Sequence, residues 1–169
     1  LYIDEEENIW VADRNNDRIM VINIEGELIS EIDCRETTEE DTGASKSIEG
    51  GKEGLNKPVG AFSVTDGGRY VLIADRNNDR IIKIRDDGKK IYEIREIGET
   101  GERLNKPAGI GKGEGPGYYY ITDKNNNRVI KFDRWGHRLM EFDGAGSGKG
   151  RFNKPEGIGT ILRIGRIYI

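Results

Sequence analysis

The chain has 169 residues, 34% of them hydrophobic and 34% charged, with 24 glycines and a formal net charge of -4. No run approaches the roughly 18 apolar residues of a membrane-spanning helix, and the single Cys34 excludes an internal disulfide framework. What remains is one turn-rich domain with a thin core.

In chain order, short β-branched and aromatic runs predict strands at Asn8 to Ala12, Arg18 to Asn23 and Glu27 to Ile32, then Tyr70 to Ala74, Arg80 to Ile84 and Lys90 to Ile94, then Tyr118 to Thr122, Arg128 to Phe132 and Arg138 to Phe142. No window shows a capped helical period. Residues 34 to 54 form a polar insertion, acidic and without an apolar anchor from Glu36 to Ser47, expected to be a mobile loop. Two phrases punctuate the strands. Ala12-Asp13-Arg14-Asn15-Asn16-Asp17-Arg18-Ile19 returns letter for letter at Ala74 to Ile81, and in altered form at Thr122 to Val129. Leu55-Asn56-Lys57-Pro58-Val59-Gly60 returns at Leu104 to Gly109 and Phe152 to Gly157, at spacings of 49 and 48. A period near 48 made of four short strands is that of a β-propeller blade. The expected fold is all-β: about three and a half four-stranded blades over a single domain, 1–169, with blades at about 1–33, 55–95 and 104–143 and a half blade at 152–169.

The run Gly144-Ala145-Gly146-Ser147-Gly148-Lys149-Gly150-Arg151-Phe152-Asn153-Lys154-Pro155-Glu156-Gly157-Ile158, together with Trp10-Val11-Ala12-Asp13 through Ile19, resembles the NHL repeat. The resemblance implies a propeller whose closed form has six blades. It implies no single activity, because such propellers serve as peptide lyases, RNA-binding modules, sensors and scaffolds.

The chain begins inside a repeat and stops at Arg166-Ile167-Tyr168-Ile169, where a second strand should run on into another turn. Three arrangements answer this: a fragment of a longer propeller, a half-propeller closing with a second copy, or a polymer in which one chain completes the next. Unpaired strand edges are adhesive, which makes Leu1, Tyr2, Ile3, Arg166, Ile167, Tyr168 and Ile169 candidate interface residues. Charge suits the two associating arrangements, since residues 1–50 carry 15 acidic and 4 basic side chains and residues 51–169 carry 16 acidic and 23 basic. A solvated acidic loop accounts for the same numbers.

Several motifs invite a chemical reading. Asp13-x-Asn15-x-Asp17 and its copies open like a calcium loop, but position six is Arg18, Arg80 or Arg128 where glycine is required, and the bidentate Glu at position twelve is missing. The structural reading is a hairpin whose Asn residues take left-handed backbone and whose pairs Asp13 and Arg18, Asp75 and Arg80, and Asp123 and Arg128 meet across the turn. His137 is the sole histidine, in a surface turn, so with Cys34 it cannot build a zinc site. No cofactor is expected. The glycine-rich leads lack the spacing and following helix of a phosphate loop. Residues 124–169 hold ten basic and four acidic side chains, but alternation splits Tyr118, Tyr119 and Tyr120 between two faces, and nucleic acid is not the expected partner.

The sequence therefore points to a non-catalytic structural or protein-interaction module, self-associating by blade completion, with other copies of itself or missing blades as partners. Extracellular placement goes with that reading. An absence of glutamine amid plentiful Ile, Lys, Arg and Glu points to a hot environment. Alternatives are a piece of a larger propeller enzyme whose catalytic residues lie elsewhere, and an RNA-binding module.

Overall fold

The computed structural model describes residues 1–33, 45–47, 54–65, 68–85, 89–97, 101–143, 151–161 and 166–169. The first sheet is antiparallel from β1 (Tyr2–Ile3) through β2 (Ile9–Asp13) and β3 (Arg18–Ile22) to β4 (Leu28–Asp33). A fifth strand, β5 (Ser45–Ser47), pairs parallel with β4. That corrects the expectation of an unstructured insertion at this point; the rest of the acidic stretch, Cys34 included, lies outside the described residues. The second sheet runs β6 (Pro58–Thr65), β7 (Arg69–Asp75), β8 (Arg80–Arg85) and β9 (Lys90–Ile94). A ribbon of β10 (Glu96–Ile97) and β11 (Glu102–Arg103) leads to the third sheet, β12 (Pro107–Lys112), β13 (Tyr118–Asp123), β14 (Arg128–Asp133) and β15 (Arg138–Asp143). Finally β16 (Gly159–Ile161) pairs antiparallel with β17 (Arg166–Tyr168), and neither pairs with β1.

The first strands of the second and third sheets, β6 and β12, begin at the proline of the lead phrase. Proline is tolerated as the first residue of a strand, where no ladder donor is required. Both ladders shift register just past it, between Pro58 and Gly60 and between Pro107 and Ile110.

Sheets stack face to face in chain order. Alternation along β7 sends Val71 and Ile73 toward the first sheet and Leu72 and Ala74 toward the third, so this strand is apolar on both sides and all four residues are buried. One core, between the first two sheets, gathers Trp10, Ile19, Val21 and Ile32 against Val71, Ile73, Ile82 and Ile84. The other joins Phe62, Leu72 and Ile81 to Tyr119, Ile121, Ile130 and Phe132. Lys83, buried beneath this contact, lies 4.5 Å over the Tyr70 ring and donates to the Arg134 carbonyl across the gap.

The outer faces of the stack differ from its middle. Met140 and Phe142, opposite Lys131 and Val129, are 51% and 39% exposed, whereas Tyr92 and Ile94, the residues opposite Lys83 and Ile81 in the second sheet, are half-buried and buried. At the other end Val11, Met20 and Ile22 of the first sheet are half-buried, while Val71, Ile82 and Ile84 are fully enclosed.

Candidate functional site: clasps between the sheets

Each repeated turn is a three-residue 3₁₀ segment, Arg14–Asn16, Arg76–Asn78 or Lys124–Asn126. The residue that follows is left-handed: Asp17, Asp79 or Asn127, with φ of 54°, 52° and 54°. The expectation that the paired Asn residues take this backbone is corrected, because only Asn127 does so. The others occupy the 3₁₀ segment, where the side chains of Asn16, Asn78 and Asn126 turn back to the aspartate.

In the second turn the Asp75 carboxylate accepts three hydrogen bonds: from Arg80 Nε at 2.6 Å, Asn78 Nδ2 at 2.8 Å and the main-chain N–H of Asn56 at 2.7 Å. Asp123 repeats the pattern with Arg128, Asn126 and Asn105, at 2.7, 2.8 and 2.7 Å. Each lead phrase is thus bound to the turn of its own sheet. Asn77 also donates its N–H to the Asn56 carbonyl and its side-chain amide to Asn56 Oδ1, both at 3.0 Å, and Asn125 does the same to Asn105. The carbonyl just before the lead receives the turn as well: Asn78 donates to Gly54 O at 2.8 Å and Asn126 to Arg103 O at 2.9 Å.

The lead also holds the turn before it. Lys57, Lys106 and Lys154 are left-handed, at φ 49°, 55° and 50°, an unfavourable state for a side chain of this kind. Their N–H groups donate to Asp17 Oδ1 at 2.6 Å, Asp79 Oδ1 at 2.8 Å and Asn127 Oδ1 at 2.9 Å, each on the preceding sheet. The two phrases that alternate in the sequence are therefore each other's partners, and together they staple every sheet to the next.

The outer strand contributes a third member. Arg18, Arg80 and Arg128 extend Nη1 to Glu31, Glu93 and Glu141, at 2.9, 3.1 and 3.2 Å. Sequence reasoning missed these glutamates, although each stands 13 residues beyond its arginine. Arg128 also pairs with Glu102. On the inner side, Glu156 of the last lead pairs with Lys124 and lies 3.7 Å from Arg76.

The first turn departs from the other two. Asp13 accepts from Arg18 Nε at 2.8 Å and Asn16 Nδ2 at 2.9 Å, and among the described residues no lead phrase supplies it with a main-chain donor. Its side chain is 23% exposed and that of Arg18 27%, against 0% and 3% for Asp75 and Arg80. Protonation follows the surroundings. Hydrogen bonds from Asn16 and Arg18 hold the Asp13 carboxyl below its ordinary value, while burial pushes Asp75 up against the pull of its donors.

Among the end residues, Leu1 and Ile3 are exposed, but the Tyr2 ring packs at a tilt against Phe62 within the molecule, ring centres 4.5 Å apart. Tyr168 and Ile169 are half exposed, beside Arg166 and Ile167 in and after β17. His137 caps the β14–β15 turn, its N–H and ring both bonded to Asp133. Tyr118 is partly exposed, and Tyr119 and Tyr120 are buried on opposite faces. Among the described residues no group of three His, Cys, Asp or Glu is placed to hold a metal ion. A cavity of about 200 Å³ between the first two sheets is lined by Trp10, Val21, Ile32, Ser63 and Val71, with Arg69 its charged member.

No family model matches the chain, and no curated protein sequence does. Solved structures do. A catalytically inactive variant of virginiamycin B lyase from Staphylococcus aureus, with quinupristin, is similar at a TM-score of 0.59 and 17% identity, over 93% of this chain and 43% of that one. A streptogramin B lyase is similar at 0.51 and 17%, over 92% of this chain and 56% of its own. At such identity the likeness establishes the fold, which is a β-propeller. The chain spans about half the length of these structures.

Proposed function

We propose that residues 1–169 are a non-catalytic interaction module, an arc of NHL-type blades whose work is to join further blades, including those of other copies. The observation that carries this is the pair of apolar sheet faces at the two ends of the stack, Val11, Met20 and Ile22 at one and Met140 and Phe142 at the other. Sheet faces of this composition are covered in the middle of the same molecule, and exposed apolar patches mark interaction surfaces. The acidic head and basic remainder of the chain favour contact between opposite ends. Sedimentation velocity across a hundredfold range of concentration tests the reading. It expects species growing beyond the 19.0 kDa chain, and a mass that stays at one chain throughout overturns it.

A second reading draws on the structural neighbours, which are lyases. In it the arc supplies the wall of a larger propeller enzyme and the reacting groups come from other blades. The 200 Å³ cavity favours a ligand-holding wall over a reactive one, since among the described residues Arg69 and Tyr70 are its ionisable lining groups.

A further inference from the structure

The open first turn has a definable occupant. Resting on the proposed reading of the chain as an arc that joins further blades, the geometry points to Asp13, Asn15, Asn16 and Arg18 as a docking site for one extended polypeptide segment: an apolar residue followed by Asn-x-Pro, ending where Leu1 begins.

The argument is internal to the molecule. The octapeptides Ala12 to Ile19 and Ala74 to Ile81 are identical, and in the second a segment of that form is in place. There Asn56 N–H meets the aspartate, Asn77 meets both the main chain and the side chain of Asn56, and Asn78 and Arg80 meet Gly54 O. The third turn binds Asn105 and Arg103 O alike. In the first turn the corresponding atoms, Asp13 Oδ1, the main-chain N–H and side-chain amide of Asn15, and Arg18 Nη2, have no such partner among the described residues. Register fixes where the segment ends. Tyr2 pairs with Trp10 as Gly111 pairs with Tyr120 and Gly159 with Tyr168, so Leu1 stands at the position of Ile158, directly after a lead.

The last lead shows the reciprocal deficit. Phe152 is half-buried where Leu55 and Leu104 are buried, and Asn153 is exposed with no partner among the described residues. A Cβ built on Gly109 would lie 2.8 Å from Glu156 O of the following lead, and one on Gly60 3.3 Å from Ala108 O, but Gly157 faces nothing within 4 Å. The chain thus carries both the segment and a vacant seat for one.

The test is a graft: a copy of residues 151–157 placed directly before Leu1 of the 169-residue chain, made with and without Asp13→Ala, and with Ala at the position copied from Asn153. The expected result is a melting temperature raised by on the order of 5 °C, with amide hydrogen exchange at Asn15 slowed toward that at Asn77. Both effects are expected to vanish in Asp13→Ala and in the Ala graft. A graft that leaves exchange at Asn15 unchanged, or that stabilises the Asp13→Ala chain equally, overturns the site. If the ungrafted chain already protects Asn15 as concentration rises, the occupant is the Phe152–Gly157 segment of a second copy, which sustains the site. Self-association without any Asp13-dependent graft effect would leave the interaction module standing and remove this docking site.

Discussion

Two stretches of eight identical residues, Ala12 to Ile19 and Ala74 to Ile81, fold to the same hairpin turn and end in different environments. The local sequence accounts for the shared part: the 3₁₀ segment, the left-handed sixth residue and the Asp–Arg bond. Burial of the pair, the main-chain hydrogen bond from the lead to the carboxylate and the direction of its titration differ, and among the described residues a lead phrase lies over one turn and not over the other. Local sequence builds the connector, and the neighbouring segment decides how much it contributes to stability.

The largest expected contrast is at the aspartates. Asp75→Ala removes the acceptor of the Asn56 N–H and the buried partner of Arg80 Nε, and should cost about 3–5 kcal/mol. Asp13→Ala, at a partly exposed pair, should cost at most about 1 kcal/mol. Urea unfolding of the two variants measures this, and equal losses would break the comparison.

Next come the glycines of the leads. Gly109→Ala drives a methyl into the Glu156 carbonyl and should cost about 1–3 kcal/mol. Gly157→Ala meets open space and should change stability by no more than about 0.5 kcal/mol. A large loss at Gly157 would show that something already covers the last lead.

The smallest effect is a difference of sign with pH. Because the folded state lowers Asp13, the stability this group supplies is present above the ordinary aspartate value of about 3.9 and is lost as pH falls through the lower folded value. Because the folded state raises Asp75, ionisation of that group opposes folding, and the opposition fades as pH falls through its raised value. Asp13→Asn should therefore flatten the loss of stability on acidification, and Asp75→Asn should steepen it. The pH dependence of the unfolding midpoint between about 3 and 5 sharpens the comparison, and the same sign in both variants would contradict it.

The propeller fold was legible because its strands are short, apolar and separated by repeated turns. The leading strands β6 and β12 were harder to see: a proline start and interspersed glycines look like connections, and only the neighbouring β7 and β13 ladders make them strands. Ser45–Ser47 has no apolar signature and joins the sheet by parallel pairing with β4. In the clasp, Asp75 and Arg80 are visible as residues on opposite strands of one turn. Their partners Asn56 and Glu93, 19 and 13 residues away, depend on how a lead and an outer strand fold back over that turn. The left-handed Lys57, Lys106 and Lys154 gave no sign at all, since lysine has no preference for that backbone and the side-chain oxygen that supports it belongs to another sheet.

Those lysine staples connect a sheet to its immediate predecessor and to nothing farther along. Apart from the contact of Arg76 in the second sheet with Glu156 in the last lead, the staples make the molecule a row of nearest-neighbour couplings, and a whole period of about 48 residues can be gained or lost by duplication or deletion with the other staples kept. A deletion of half a period has the opposite outcome, because it removes a turn and keeps its lead.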